Sequence, residues 1–239
     1  MATMTLDELV SQLRAAYGTE LHAVVLYGSA AAGEHIPKRS DDHVLVLAES
    51  LGLDRLRAAA AVARAWAAGN NPAPLTMTPA EWRGSADIFP MEYADILDRH
   101  RTLHGTLPTA GLRVDQRYLR LQLEQEAMGK LLKLRQGVLA AGGDERRHIE
   151  LLAGSLSTIM VIFRAVVRLH GETPATDNIA LCGTVAGHAG FDAGPFERVV
   201  RHVRGEQAMG TAEAGAVLAG YLHGMEQLVR HLDRFSPTT

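Results

Sequence analysis

Apolar residues follow two different patterns in the two halves of this chain. In the first half, short apolar runs bounded by turn residues alternate with segments whose apolar residues recur at helical spacing. In the second half, long segments show helical spacing alone. The pattern predicts a small α/β or α+β sheet domain followed by a helical bundle. Periodicity is lost over residues 105–114, GTLPTAGLRV, so we predict domains 1–112 and 113–239.

The first half is expected to begin with a helix whose apolar residues recur every three or four positions. Compact apolar runs rich in Val and Leu predict buried strands, and an Ala-rich segment ending at a glycine predicts a second helix. The predicted helices cover residues 6–16 and 54–68, with a short helix beginning at 79–82 and a last one at 94–103. The predicted strands cover residues 22–27, 43–47, 75–78 and 88–93.

The second half predicts a four- or five-helix bundle, because helical periodicity is interrupted only by short Gly-rich links. The predicted helices cover residues 115–140, 144–170, 178–188, 195–204 and 211–235.

Charge and composition exclude some classes of protein. Lys and Arg number 24 against 27 Asp and Glu, a formal charge of −3, which argues against nucleic acid or an anionic membrane as a partner. The start, MATMTLDELV, lacks a basic segment followed by an apolar one, and Arg164 interrupts the most apolar run. We therefore expect a cytoplasmic protein. The single cysteine, Cys182, excludes an internal disulfide and is expected to be a buried, inert thiol.

The candidate chemistry lies in residues 27–47, YGSAAAGEHIPKRSDDHVLVL. A Gly-Ser turn after a buried strand lets the backbone approach a phosphate, and Gly28 and Ser29 fit that role. Ser40 and Asp41 would place a carboxylate at the entry of the next strand. Such a carboxylate, together with nucleotide phosphates, can hold Mg²⁺.

These residues resemble the nucleotidyltransferase domain of the DNA polymerase β-like superfamily, whose motif is Gly-Ser followed by a Ser-Asp-x-Asp strand. The motif here reads Gly28-Ser29 and then Ser40, Asp41, Asp42 and His43. The resemblance covers about residues 20–105, and the helical half is similar to helical domains of bacterial stand-alone members, including aminoglycoside-modifying ones. It implies an α+β fold and transfer of a nucleoside monophosphate from an NTP to a hydroxyl, with two metal ions, Mg²⁺ or Mn²⁺, held by three carboxylates.

On this resemblance, Gly28, Ser29 and Ser40 are the nucleotide-binding candidates, and Asp41 and His43 are the catalytic and metal-binding candidates. Two of the three implied carboxylates are missing. His43 stands at the second position, and imidazole is a poor ligand for Mg²⁺.

The third acid has no counterpart in PLTMT, residues 74–78, the segment that best matches the family's later strand. Alternation along a strand places Asp42 on the opposite face from Asp41 and His43 unless a bulge shifts the register, so Asp42 does not automatically replace the missing acid. The nearest later acids are Glu81, Asp87 and Glu92. The sequence therefore predicts a nucleotide-binding protein in which nucleotidyl transfer is impaired or absent.

Two alternatives stay open. The first is an active transferase that uses Asp41, His43 and an unrecognised acid with Mg²⁺ or Mn²⁺, acting on a protein or on a small hydroxylated acceptor bound between the two domains. The second is a helical ribonuclease or interaction module similar to HEPN domains, carried by the spacing of Arg164 and His170; a homodimer is compatible with both. His100 and His104, expected one helical turn apart, could pair on a metal but lack a third ligand.

Overall fold

The structure of the protein is a computed structural model that describes residues 4–31 and 42–236, apart from the side chain of Ser29. The chain divides into two compact units, Met1–Val114 and Asp115–Thr239. The first contains a mixed sheet with helices and the second contains helices, so the predicted α+β fold class with a helical C-terminal part is confirmed.

The first unit alternates helices and strands in an order close to the predicted one. Within the described residues it contains α1 (Leu6–Tyr17), β1 (Leu21–Tyr27), β2 (His43–Ala48), α2 (Leu53–Ala67), β3 (Leu75–Met77), α3 (Pro79–Gly84), α4 (Pro90–Asp98) and β4 (His100–Gly105). The sheet order is β3-β2-β1-β4. Strand β1 is antiparallel to both neighbours, and β2 is parallel to β3.

The two central strands are buried on both faces, which explains their continuous apolar sequences. Alternate residues of β1 and β2, such as Val24 and Val46, pack with apolar residues of α1 and α2. The intervening residues, such as Val25 and Leu45, pack with Trp82 and with residues of α4. The sheet is therefore a middle layer, and a side chain near the ends of β1 and β2 faces one of two helical layers.

The prediction for residues 88–103 is wrong. Residues 88–93 were expected to form a strand and 94–103 a helix, whereas helix α4 begins at Pro90 and strand β4 follows from His100. Proline suits the first position of a helix because that position has no hydrogen bond to lose. Strand β4 forms because its backbone pairs with β1, a long-range contact that local periodicity does not contain.

The second unit contains five helices within its described residues, in agreement with the predicted bundle. They are α5 (Gln116–Ala141), α6 (Glu145–Leu169), α7 (Asn178–Ala189), α8 (Gly194–Arg204) and α9 (Thr211–Arg234). Helices α5, α6 and α7 each begin after an aspartate whose side chain accepts a hydrogen bond from a backbone N–H of the first turn. Helix α6 is apolar and long enough to span a membrane, but 56% of its most apolar window is buried inside the protein, as expected for a core helix.

Gly105, the last residue of β4, provides a test of the sheet geometry. Its φ is +68°, and a Cβ there would overlap the backbone carbonyl oxygen of His22 in β1. Gly111 also has a positive φ, +78°, but a Cβ there would meet open space. We expect Gly111→Ala to lower the free energy of unfolding by about 1–2 kcal/mol through the backbone conformation alone. Gly105→Ala should cost about 3–5 kcal/mol because overlap with an immovable strand is added.

Tryptophan fluorescence during urea denaturation measures this difference selectively, since Trp66 and Trp82 both belong to the first unit. Equal losses in the two variants would contradict the close approach of β4 to β1.

Candidate functional site

The turn at the end of β1 is the centre of the candidate site. Tyr27 is extended, and the chain then enters a tight turn over Gly28–Ala30, closed by a hydrogen bond of 3.1 Å from the N–H of Ala31 to the carbonyl oxygen of Gly28. The φ of Gly28 is +75°, a conformation that side chains disfavour. A glycine at this point therefore permits both the sharp turn and a close approach of a ligand to the backbone.

His43 lies next to this turn because of the strand register. It is the first residue of β2 and is paired with Tyr27. Before it, the N–H of Asp42 donates to Asn71 Oδ1 at 3.0 Å, which ties the entry of β2 to the segment after α2. The His43 ring is exposed, and its centroid lies 5.6 Å from that of Tyr27. By alternation, His43 shares the sheet face of Leu45, which is the face covered by α3 and α4.

Helix α4 is held against this face by two buried aromatic residues. The rings of Trp82 and Tyr93 stack with centroids 4.3 Å apart. The Tyr93 hydroxyl donates to the carbonyl oxygen of Trp82 at 2.7 Å, and Trp82 Nε1 donates to the carbonyl oxygen of Pro108 at 2.9 Å. These contacts fix the rotation of α4 and so determine which of its residues face the end of β1.

The residues that α4 brings to the turn are acidic. A Cβ placed on Gly28 would lie 3.6 Å from Asp95 Oδ2 and 4.0 Å from His43 Cδ2. Glu92 stands one helical turn before Asp95, on the same side of the helix. Burial raises the pKa of the Tyr27 hydroxyl to about 12, and the negative charges of Glu92 and Asp95 act in the same direction. The turn after β1 is therefore bordered by an imidazole, a neutral phenol and two carboxylates.

The predicted site residues fall into two groups. Gly28 and His43 lie together, and Ser29 follows Gly28 within the same turn. Ser40 and Asp41 lie outside the described residues. Their roles therefore remain predictions, as does the role of the Ser29 side chain.

The later acids considered from the sequence have different positions. Glu81 belongs to the N-terminal cap of α3, where its carboxylate accepts from the N–H of Thr78 at 2.7 Å. Asp87 is exposed in the turn before α4, whereas Glu92 lies on α4 near Tyr27. Strand β3, LTM, contains no acid. The two described carboxylates beside the turn, Glu92 and Asp95, therefore come from a helix, whereas the family resemblance implies a strand position for the third acid.

Sequence reasoning missed Asp95. The expected strand over residues 88–93 separated Glu92 from Asp95, so their spacing of three was not read as one helical face. The available signal was Pro90, which favours the first position of a helix.

His100 and His104 are not one helical turn apart, because both lie on β4. His100 Nδ1 is 2.7 Å from the carbonyl oxygen of Ile96, a hydrogen-bond distance that uses one of its nitrogens. Across residues 4–31 and 42–236, the structure contains no group of three or more His, Cys, Asp or Glu side chains arranged to hold a metal. Asp41, the predicted metal-binding carboxylate, lies outside these ranges.

The α+β architecture, a small mixed sheet followed by helices, is similar to a nucleotidyltransferase fold. No protein-family model matches the sequence, and no curated protein matches it. Among solved structures, the chain is similar to a spectinomycin adenyltransferase of Enterococcus faecialis, determined with ATP and spectinomycin. The similarity covers 96% of this chain and 100% of that one, with a TM-score of 0.56 and 11% sequence identity. At this identity the comparison shows the fold and leaves the activity to be argued from residues.

The second pair singled out from the sequence, Arg164 and His170, does not form an exposed catalytic pair. Arg164 is only 9% exposed within α6, and its guanidinium lies 3.4 Å from Asn178 Oδ1. His170 instead joins a histidine cluster with His188 and His231. The burial of Arg164 gives the ribonuclease alternative no support, and that alternative stays a prediction.

The histidine cluster (His170, His188 and His231) lies where the C-terminal ends of α6, α7 and α9 meet. The rings of His170 and His188 stack 3.8 Å apart, and His170 Nε2 is 3.0 Å from His231 Nε2. Burial lowers the pKa of His170, as do His188 and His231, while Glu172 opposes the shift. Burial and His188 lower the pKa of His231. Both histidines therefore resist protonation more in the folded protein than in the unfolded chain.

This cluster predicts a pH dependence of stability. A histidine whose folded-state pKa is lowered binds fewer protons when folded, so stability is complete above the unfolded pKa of about 6.5 and decreases as pH falls below it. We expect the urea midpoint of the second unit, followed by far-UV circular dichroism, to decrease between pH 7.5 and pH 5.5. His170→Gln should reduce this decrease, whereas the exposed His223→Gln should leave it unchanged. An identical pH dependence in wild type and His170→Gln would contradict the assignment.

Proposed function

We propose that the first unit binds a nucleoside triphosphate with a divalent metal at the turn after β1, and that nucleotidyl transfer from this site is impaired or absent. Gly28, Ser29 and Ser40 would contact the phosphates, and Asp41 would supply the metal-binding carboxylate. The observation that carries the proposal is the position of His43, at the entry of β2 and beside the glycine turn, where the family resemblance implies a second carboxylate.

The impairment follows from charge. Two metal ions and a triphosphate need several carboxylates to balance and orient them. A neutral imidazole contributes no negative charge, and Mg²⁺ prefers oxygen ligands, whereas Mn²⁺ accepts nitrogen more readily. The proposed site can therefore bind a nucleotide more easily than it can bind two Mg²⁺ ions in the arrangement that nucleotidyl transfer requires.

Calorimetric titration of a non-hydrolysable ATP analogue, with and without Mg²⁺ or Mn²⁺, tests this proposal. We expect metal-dependent binding by the wild type that is tighter with Mn²⁺ than with Mg²⁺. His43→Asp should strengthen binding in Mg²⁺ about tenfold, equivalent to about 1.4 kcal/mol, because a carboxylate replaces the imidazole.

His43→Asn is the matched control, since it removes the imidazole without adding charge and should not produce the gain. The absence of analogue binding by the wild type with either metal would overturn the proposal.

A second candidate function is favoured by the two acids of α4. Glu92 and Asp95 border the turn beside Gly28, and together with the predicted metal-binding residue Asp41 they would bring three carboxylates to one site. In an active transferase, an acceptor hydroxyl would attack the α-phosphorus of ATP. The bond to pyrophosphate would break, and the hydroxyl proton would pass to a carboxylate.

Asp95→Asn separates the two candidates. If Asp95 serves the site, the variant should bind the ATP analogue with Mn²⁺ at least about tenfold more weakly, because one charge and one oxygen ligand are lost. Asp87→Asn, an exposed acid just before α4, should bind as the wild type does. Unchanged binding by Asp95→Asn would show that Asp95 does not belong to the site, and the active transferase would lose its support.

Activity itself is measured by pyrophosphate release from ATP with Mn²⁺ and a panel of hydroxylated acceptors. Spectinomycin belongs in this panel because the structural neighbour was crystallised with it. Acceptor-dependent release that Asp95→Asn abolishes would establish the active enzyme.

A further inference from the structure

A cavity lies at the C-terminal end of α9, in the second unit. Its volume is about 390 Å³, within the range of about 300–1,000 Å³ that is typical of small-molecule sites. The last residue of α7 and the last turns of α9 border it, and its charged and aromatic lining residues are Arg230, His231, Arg234 and Phe235. No Asp or Glu is among the described residues that line it. The cavity therefore has a positive charge and room for a small organic molecule.

The protein neutralises the two cavity arginines only weakly. Arg230 and Arg234 are exposed and stand one turn apart on the same side of α9. Arg230 lies 3.9 Å from the carboxylate of Glu226, which lies closer, at 2.8 Å, to Arg135. The described part of the chain gives Arg234 no ion pair. Two guanidinium groups are therefore available to an anion from outside the protein.

His231 joins this cavity to the histidine cluster. Its Nε2 lies 3.0 Å from His170 Nε2, and the ring centroids are 5.2 Å apart with an angle of 19° between the planes. The two nitrogens thus lie close to the line between the ring centres, which is the geometry of a hydrogen bond from one neutral imidazole to the other. Protonation of one ring makes this bond charge-assisted, whereas protonation of both would oppose two N–H groups. The pair can therefore accept one proton.

The groups around the pair leave this proton without a strong partner. His188 of α7 stacks on His170, and Glu172, which follows α6, lies 3.2 Å from His188 Nε2. The two cavity arginines are on the same helix as His231 and add positive charge. An anion in the cavity would supply the missing negative charge beside His231 and would favour protonation of the pair.

We propose that the cavity binds a phosphate monoester carried on an apolar or aromatic group, with the phosphate between Arg230, His231 and Arg234. Two guanidinium groups and a protonatable imidazole match a dianion with three acceptor oxygens better than they match the single charge of a carboxylate. Phe235 provides a wall for the apolar group, and its ring is fixed edge-on against His170 with centroids 4.9 Å apart. The proposal does not depend on the nucleotide site.

Calorimetric titration of phenyl phosphate into the full chain, at pH 7.5 and low salt with EDTA, tests the ligand class. EDTA removes the divalent metal that the proposed nucleotide site requires. We expect a dissociation constant below about 1 mM for phenyl phosphate. Inorganic phosphate lacks the apolar group and benzoate lacks the second charge, so each should bind at least about tenfold more weakly. Equal binding of either one and phenyl phosphate would overturn the proposed ligand class.

Arg234→Gln tests the position of the site. It should weaken phenyl phosphate binding at least about tenfold, because a charge-assisted contact is lost. Arg146→Gln is the matched control, since Arg146 is an exposed arginine in the first turn of α6, far along that helix from the histidine cluster. Far-UV circular dichroism should show an intact fold for both variants. No binding by the wild type at millimolar concentration, or equal binding by Arg234→Gln and the wild type, would overturn the site.

Phenyl sulfate tests the link to the histidine pair, because its charge is constant between pH 5.5 and pH 7.5. By linkage, an anion that favours a proton on the pair binds more tightly as the pH falls. We expect the affinity of the wild type to rise about threefold to tenfold over this range. His231→Gln should reduce the rise, whereas His22→Gln, an exposed histidine of the first unit, should retain it. An identical pH dependence in His231→Gln and the wild type would overturn the position of the anion beside His231.

Discussion

The first unit depends on the pairing of β1 with strands on both sides. At the end of β1, Tyr27 is paired with His43 of β2 and with His100 of β4, so three chain segments meet at one level of the sheet. Backbone pairing of this kind leaves little freedom of register when both faces of the strands are buried. The glycine turn, the imidazole of His43 and the start of β4 are consequently fixed relative to one another by the same ladder.

The helical layer over the sheet brings carboxylates to the turn after β1. Helix α4 lies over the face that carries His43, and the stacked pair of Trp82 and Tyr93 sets its rotation. Glu92 and Asp95 reach the end of β1 for this reason, although neither belongs to a strand. Negative charge near the turn thus depends on aromatic packing several ångströms away, and a change in that packing would alter the electrostatics of the site without changing any of its residues.

Much of this architecture could be predicted from the sequence, because local sequence signals and the burial of apolar residues favour the same helices and strands. Strands β1 and β2 are continuous apolar runs, and helices α5 to α7 begin at aspartate caps. The hydrophobic pattern and the helix-capping residues therefore predict the same elements. The prediction for residues 88–103 failed because β4 owes its conformation to β1, a partner far earlier in the chain, and because Pro90 was not read as the start of a helix.

One feature of the candidate site was hidden for a related reason. Asp95 could not be recognised as a neighbour of Glu92 on one helix while residues 88–93 were read as a strand and 94–103 as a separate helix. Ser40 and Asp41 remain predictions from motif spacing alone.

The edges of the sheet bear on how this protein can associate. An exposed strand edge invites pairing with another chain, and proteins discourage this with short or charged edge strands. Strand β3 is only three residues long, and β4 carries His100, Arg101 and His104 among its six residues. Neither border offers a long apolar template for strand addition. Assembly through a continuous intermolecular sheet is therefore disfavoured, so these two edges protect the chain against uncontrolled polymerisation.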